Sequence, residues 1–176
     1  STQTIGAALG DRAVADGTRA ALFGFLAVAI FLILWYRLPG LLAVLALCVY
    51  AALVLTLFKL IPVVLTAAGV AGFIISLGIA VDANVLIFAR LKEELTAGHA
   101  PDEALRSGFS RAWFSIRDSN FSSLITAAIL FLFGTSLIRG FAITFGLGVL
   151  VSLFSSMTVS RLFLLALGVR RASPMV

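Results

Sequence analysis

One carboxylate, that of Asp82, lies inside a long apolar run, in the stretch GIAVDANVLIFARLKEEL from Gly78 to Leu95. It precedes Arg90 by eight residues, or about 12 Å along a helix. A charge within hydrocarbon is unfavourable by at least about 3 kcal/mol, so such residues face protein or water. Loss of water favours the neutral acid and a nearby cation favours the carboxylate, so such a group can load and release a proton. The sequence therefore predicts a proton carrier at Asp82. A structural carboxylate, paired with an Arg or capped by Ser and Asn, is the alternative.

Four other residues are expected to support this site through packing or polar contacts. Asn84 lies on a different helical face from Asp82, so we expect it to hydrogen-bond a neighbouring helix, whereas Gly78, one turn before Asp82, allows close helix packing. Asp118 and Asn120 are typical N-cap and first-turn residues for the span that follows them. An intramembrane aspartic protease that pairs Asp82 with Asp118 is a further alternative, since paired carboxylates can share a proton.

The sequence offers no other chemistry. Cys48 lies in an apolar run, where a small buried side chain is the expected role, and His99 is interpreted as a solvated loop residue. No second His or Cys completes a metal ligand set, and no glycine-rich phosphate-binding loop is present. We therefore predict no metal, no cofactor, no catalytic residues and no enzymatic activity.

The composition indicates a membrane protein. Hydrophobic residues make up 61% of the 176 residues and charged residues only 12%, while the mean hydropathy is +1.15, well outside the range of a soluble domain. The net charge of +5 does not indicate nucleic acid, because the basic residues are scattered between apolar runs without forming a basic tract. Their positions instead suggest an orientation in the bilayer.

The predicted fold is an all-α membrane protein with five transmembrane helices. Each apolar run approaches or exceeds the roughly 20 residues that cross a bilayer, and none has the strict alternation of barrel strands. The predicted spans are about 20–36, 38–58, 61–88, 121–138 and 141–167, with a polar connection at 89–120. Residues 1–19 are expected to be a lead-in outside the membrane, and residues 168–176 a tail.

Basic residues predict which side each connection occupies, because cytoplasmic loops are enriched in Lys and Arg. One side carries Arg12, Arg19, Lys59 and Arg139; the other carries Arg37, Arg90, Lys92, Arg106, Arg111, Arg117, Arg170 and Arg171. The N-terminus is therefore predicted to lie outside and the C-terminus in the cytoplasm. Since no signal peptide is visible before an outside N-terminus, we expect the chain to be part of a longer protein.

The polar connection contains the segment PDEALRSGFSRAWFSIR, from Pro101 to Arg117, which has the pattern of an amphipathic helix. Leu105, Phe109 and Ile116 share its apolar face. Such a helix can lie in the headgroup plane or present a docking surface to a partner. A connector that rests on its own bundle is an equally good interpretation.

Several segments resemble one family. GIAVDANVLIFARLKEEL is similar to the fourth-span signature of the SecD/SecF family of protein-export membrane proteins, and more to SecD than to SecF. TIGAALG, YRLPGLLAVLAL and the long segment IRDSNFSSLITAAILFLFGTSLIRGFAITFGLGVLVSLFSSM also resemble family segments, in order along the chain. The chain departs from the pattern at Ala89, where the family commonly has Glu.

This resemblance implies most of one six-helix half of an assembly related to the RND transporters, in the bacterial inner membrane. It implies a SecF-like half, the SecYEG channel, preproteins and the lipid bilayer as partners. It also places the proton-relay carboxylate of the family at Asp82. The implied function is proton-driven promotion of preprotein translocation. An RND-like exporter of lipid or small molecules, or a passive membrane scaffold, are the alternatives.

Overall fold

The computed structural model describes residues 2–61, 63 and 66–166, and this part of the chain is helical without strands. Its four helices are α1 (Thr2–Leu60), α2 (Ala67–Thr96), α3 (Pro101–Phe133) and α4 (Ser136–Ala166). Each is long and apolar enough to cross a membrane. The all-α membrane class predicted from the sequence is thus confirmed, whereas the predicted tail at 168–176 lies outside the described residues.

Helix α1 accounts for the difference between four helices and five predicted spans. It extends over 59 residues but is interrupted at Arg37, whose φ of 51° and ψ of −117° are not helical. Pro39, two residues later, cannot donate a backbone hydrogen bond and disfavours helical geometry before it. A Cβ on Gly40 would overlap the carbonyl of Leu32, a residue that a straight helix would hold about 12 Å away. The chain therefore bends sharply here, between the first two predicted spans.

Helices α2 and α3 are longer than the predicted spans and are joined by a tight turn. Gly98 has a φ of +89°, in the left-handed region that favours glycine, and its backbone amide donates to the carbonyl of Leu95 at 3.1 Å. Pro101 then begins α3 with Asp102 and Glu103 in its first turn, where a proline and acidic residues are favoured. The polar connection predicted at 89–120 is thus mostly helical.

The amphipathic segment and the span that follows it form one continuous helix, α3. The N-cap role predicted for Asp118 and Asn120 is therefore wrong, because both lie well inside this helix. Leu105, Phe109 and Ile116 are buried in the main hydrophobic cluster. The face that carries Leu105, Phe109 and Ile116 therefore packs on its own bundle and does not face the headgroup plane.

Small residues bring α2 and α4 into close contact. A Cβ on Gly72 would lie 2.7 Å from the carbonyl oxygen of Phe141, and a Cβ on Gly148 would overlap the side chain of Ser76. Small residues at such positions let transmembrane helices approach closely. The opposite surfaces of the bundle are apolar and open: Phe133 is 84% exposed and Leu34 76% exposed, as lipid-facing side chains would be.

Candidate functional site

Asp82 lies on the exposed face of α2, not in the interior of the bundle. Ala71, Ile75 and Gly78 precede Asp82 at helical spacings of three and four residues, which places them on the same face. All three are exposed. A Cβ on Gly78 would meet nothing within 4 Å. Gly78 therefore packs against no described part of the chain. The result is a smooth, exposed stripe that ends at a carboxylate.

No ion pair holds this carboxylate among the residues that the structure describes. The five ion pairs in that part of the chain all involve other acidic residues. Its neighbour Asn84 is engaged elsewhere, on the opposite side of the helix. A charged group at this depth must face protein or water. The described residues supply no cation within ion-pair distance of it.

Asn84 is part of a buried polar contact between α2 and α4. Its side chain is 2% exposed; its Nδ2 donates to the carbonyl of Ala80 at 2.9 Å, and its Oδ1 accepts a short hydrogen bond from the hydroxyl of Ser160. Ser160 continues a row of buried small hydroxyl residues on α4, with Ser152 and Ser156. The structure thus brings Asn84 together with α4 and separates it from Asp82.

A second buried polar contact joins α1 to α2, and the sequence patterns did not predict it. The hydroxyls of Tyr50 and Ser76 lie 2.8 Å apart, and Ser76 also donates to the carbonyl of Phe73 at 2.8 Å. A Cβ on Gly148 would come within 3.0 Å of the Tyr50 hydroxyl. A tyrosine in the middle of an apolar run requires a partner for its hydroxyl, so its presence was an available clue.

Asp118 and Asn120 lie in different surroundings from each other. Asp118 is exposed, and its Oδ1 accepts from Nη2 of Arg117 at 2.9 Å. Asn120 is 1% exposed; its Nδ2 donates to the carbonyl of Ile116 at 2.7 Å, while its Oδ1 has no partner among the described residues. Asp118 thus bonds to an arginine on its own helix and forms no pair with Asp82, so the carboxylate pair that a protease needs is not observed here.

A buried carboxylate that the sequence analysis did not single out lies at the end of α2. Glu94 is 4% exposed, and its two oxygens lie 3.0 Å from Nη1 of Arg111 and 3.0 Å from Nδ1 of His99. His99 is therefore more than a solvated loop residue, since it contacts this acid. Glu94 follows the buried positions Asn84, Ile87 and Leu91 at helical spacing, so the periodicity of α2 already indicated its burial.

No group of three potential metal ligands forms among the residues described. Cys48 is exposed, contrary to the buried position expected for it. The thiol therefore lies on the outer surface of the described bundle.

Comparison with known families accounts for nearly the whole chain. Residues 1–170 match the family described as protein export membrane protein SecD/SecF, C-terminal. The chain belongs to this family. Its helices and the segments that resemble family signatures can therefore be interpreted within the SecD/SecF framework.

Individual relatives agree with this assignment. The chain is 58% identical over 168 residues to protein translocase subunit SecD of Thermobaculum terrenum. This alignment covers 93% of this chain and 33% of the relative. It is 51% identical over 167 residues to SecD of Dehalococcoides mccartyi, which covers 92% of the chain and 37% of that protein. The chain thus spans about a third of the length of these SecD relatives.

The fold also matches a solved structure of the family. The crystal structure of SecDF from Thermus thermophilus, described as a translocon-associated membrane protein, superimposes with a TM-score of 0.86 at 39% sequence identity. The match covers 93% of this chain and 22% of that protein. The chain is accordingly a multi-pass membrane protein of the SecD type.

Proposed function

We propose that this chain is the transmembrane part of a Sec translocase accessory that uses the proton gradient to promote preprotein translocation across the bacterial inner membrane. The observation that carries the proposal is the position of Asp82, a carboxylate on an exposed face of a membrane-length helix. The proposed cargo is taken from the family of the chain, because the relatives are named protein translocase subunits.

The exposed stripe of α2 is the surface on which a second transmembrane body would pack. Gly78 and Ala71 leave it smooth, and small residues allow close approach of another helix. Covering the stripe would remove Asp82 from lipid and place it between two protein bodies. The occupant we propose is a SecF-like half, as membership of the SecD/SecF family and the similarity to the Thermus SecDF structure suggest.

In this mechanism Asp82 alternates between the charged and the neutral form at the interface between the two halves. Moving one charge through 100 mV releases about 2.3 kcal/mol, which shifts a conformational equilibrium by about 50-fold. Asn84, on the opposite face, keeps α2 fixed to α4 through Ser160. A change at the interface would therefore move α2 and α4 together.

The proposed topology has five spans, because α1 bends at Arg37 and each of its arms is membrane length. With three further helices, the chain would form most of one RND-like six-helix half. The N-terminus would lie outside and the C-terminus in the cytoplasm, following the distribution of basic residues. Partners would then be the SecF-like half within the bilayer, the SecYEG channel and emerging preproteins.

The test is export of a reporter preprotein in cells depleted of their own SecD and complemented with this protein at its full natural length. Asp82→Asn should reduce export to the level that an uncoupler gives, at matched expression. The matched control is Asp16→Asn, at an exposed acid that lies 3.9 Å from Arg19; it should retain uncoupler-sensitive export. Equal export from both variants would mean that Asp82 is structural.

Two further assays, of partner recruitment and of small-molecule or lipid efflux, separate the rival functions. A passive scaffold predicts that Asp82→Asn is silent, whereas removal of the exposed charges of the α3 segment, such as Arg106, abolishes recruitment. An RND-like exporter of small molecules or lipid predicts that Asp82→Asn abolishes efflux and leaves preprotein export intact.

A further inference from the structure

A cleft lies where the first turns of α3 approach the end of α4. It has a volume of about 640 Å³ and is lined by Asp102, Glu103, Leu105, Arg106, Ser107 and Arg161. Its size falls within the roughly 300–1,000 Å³ typical of small-molecule sites. Two helices that are far apart in sequence build it, so the cleft is a product of the tertiary fold.

The walls of the cleft carry charges of both signs that do not pair with each other. Asp102, Glu103, Arg106 and Arg161 are all exposed, and none belongs to an ion pair in the part of the chain that the structure describes. Two anions and two cations therefore face one volume with space between them. A ligand that carries both charges would satisfy the two sets at once.

The position of Arg161 sets the depth of the cleft in the membrane. Arg139 and Arg161 bracket residues 140–160 of α4, a stretch of 21 residues without a charge, which is about 32 Å of helix. This length matches the hydrocarbon core of about 30 Å. Arg161 and the cleft beside it therefore lie at the level of the lipid headgroups.

An apolar path leads from the membrane to Arg161. Leu150 is 51% exposed, Phe154 58% and Leu162 59%, and Thr158 between them is also exposed. Their spacing of four residues places them on one face of α4. An acyl chain that lies along this face would bring its headgroup to the cleft.

We infer that the cleft binds the phosphoethanolamine headgroup of a membrane lipid. Arg106 and Arg161 would bind the phosphate, since guanidinium groups suit phosphate oxygens, with Ser107 as a further hydrogen-bond donor. Asp102 and Glu103 would accept hydrogen bonds from the ammonium group. A purely anionic headgroup would be repelled by these two acids. A trimethylated ammonium has no N–H group that could donate a hydrogen bond to their oxygens.

The depth of the cleft and the apolar face of α4 favour a lipid over a soluble phosphoethanolamine compound. The site shares no residue with the Asp82 face, so it stands whether or not Asp82 carries protons. Its occupant would fix the first turns of α3 to the end of α4 in the membrane.

The experiment is native mass spectrometry of the purified, delipidated full-length protein with equal amounts of phosphatidylethanolamine, phosphatidylcholine and phosphatidylglycerol of identical chains. We expect phosphatidylethanolamine adducts to exceed each of the others by about threefold to tenfold, the size of effect that charged contacts produce at partly exposed sites. Equal adducts for the ethanolamine and choline lipids would overturn the inference. Soluble glycerophosphoethanolamine in excess should not displace the lipid; if it does, the ligand is the headgroup compound and the lipid assignment is wrong.

Three variants locate the site. Arg161→Ala should reduce binding of all three lipids, whereas Arg139→Ala, the matched arginine at the other end of α4, should not change the ratios. The double variant Asp102→Asn with Glu103→Gln should retain lipid binding but lose the preference for ethanolamine over choline. The altered residues are exposed, and circular dichroism checks that each variant keeps its helical content. Identical spectra of adducts for Arg161→Ala and Arg139→Ala would contradict the assignment.

Discussion

Asp82 and Glu94 are acidic residues of the same helix, twelve residues apart. The exposure of each side chain is the opposite of what the neighbouring sequence suggests. Asp82 stands in an apolar run, yet it is exposed on the surface of the bundle. Glu94 stands in the polar stretch LKEEL, yet it is 4% exposed and contacts Arg111 and His99. Among the described residues, α2 thus buries the acid that has ion-pair partners and exposes the one that has none.

The difference indicates two different roles. A buried carboxylate with two partners is held in place, because removing one partner leaves the buried charge less well compensated. A carboxylate in a span with no ion-pair partner among the described residues is unfavourable in lipid, so it should face protein or water. Glu94 thus makes contacts within the fold of the chain, whereas the role proposed for Asp82 depends on contact with another body.

The largest expected effect separates the two acids by function. Asp82→Asn should abolish gradient-dependent export, because an amide does not carry a proton at neutral pH, and leave resistance to unfolding in detergent unchanged. Glu94→Gln should keep gradient-dependent export per folded molecule and lower the free energy of unfolding by about 1–2 kcal/mol. Export assays and detergent unfolding on the same preparations measure both. Loss of coupling in Glu94→Gln alone would reverse the comparison.

A large effect on stability is expected where the buried side of α2 meets α4. Gly148→Val should destabilise the bundle by about 3 kcal/mol, as overpacking does, since even a Cβ there overlaps Ser76. Gly24→Val is the matched control, because a Cβ on Gly24 would meet nothing within 4 Å. Detergent unfolding should show a loss for the first variant only. Equal stability of the two variants would mean that the α2–α4 contact is looser than described.

A smaller effect on the free energy of unfolding is expected when buried Glu94 loses its arginine partner. Arg111→Ala should lower the free energy of unfolding by about 1 kcal/mol, because it removes one partner from buried Glu94 while the exposure of Arg111 limits the strength of the pair. The combination Arg111→Ala with Glu94→Gln should be less destabilised than the sum of the single variants. Unfolding in a double-mutant cycle measures this coupling. Full additivity would show that the two side chains do not interact.

The smallest effect on the chain itself is expected on the exposed stripe. Gly78→Val should change the free energy of unfolding by less than about 0.5 kcal/mol, since the space around Gly78 is open. The same substitution should weaken association with a SecF-like half by about tenfold, because a branched side chain would block close packing. Co-purification of tagged halves measures the association. Normal association would show that the partner covers another face.

Much of the fold follows from the sequence. The apolar runs predict membrane-length helices, because a backbone in hydrocarbon must satisfy its own hydrogen bonds. Pro101 and the acidic residues after it predict the start of α3, and local geometry alone is sufficient for that. The motif around Asp82 predicts the family, which the match over residues 1–170 confirms.

Other features depend on how the helices meet. Asp118 and Asn120 have the local character of N-cap residues, yet α3 continues through them because its apolar face packs on the bundle. The bend at Arg37 could be suspected from Pro39, but its sharpness depends on the contact between Gly40 and Leu32. In each case, contacts between packed side chains and helices outweigh the local conformational preference of the residues.

Hydropathy, spacing and motifs are properties of neighbouring residues, and they are sufficient to predict a helical membrane protein of the SecD/SecF family with a carboxylate inside one apolar run. The exposure of Asp82, the burial of Glu94 and the cleft lined by Arg106 and Arg161 are visible only in the folded bundle. Each of these is set by which face of a helix its neighbours cover, and that depends on residues distant in the chain.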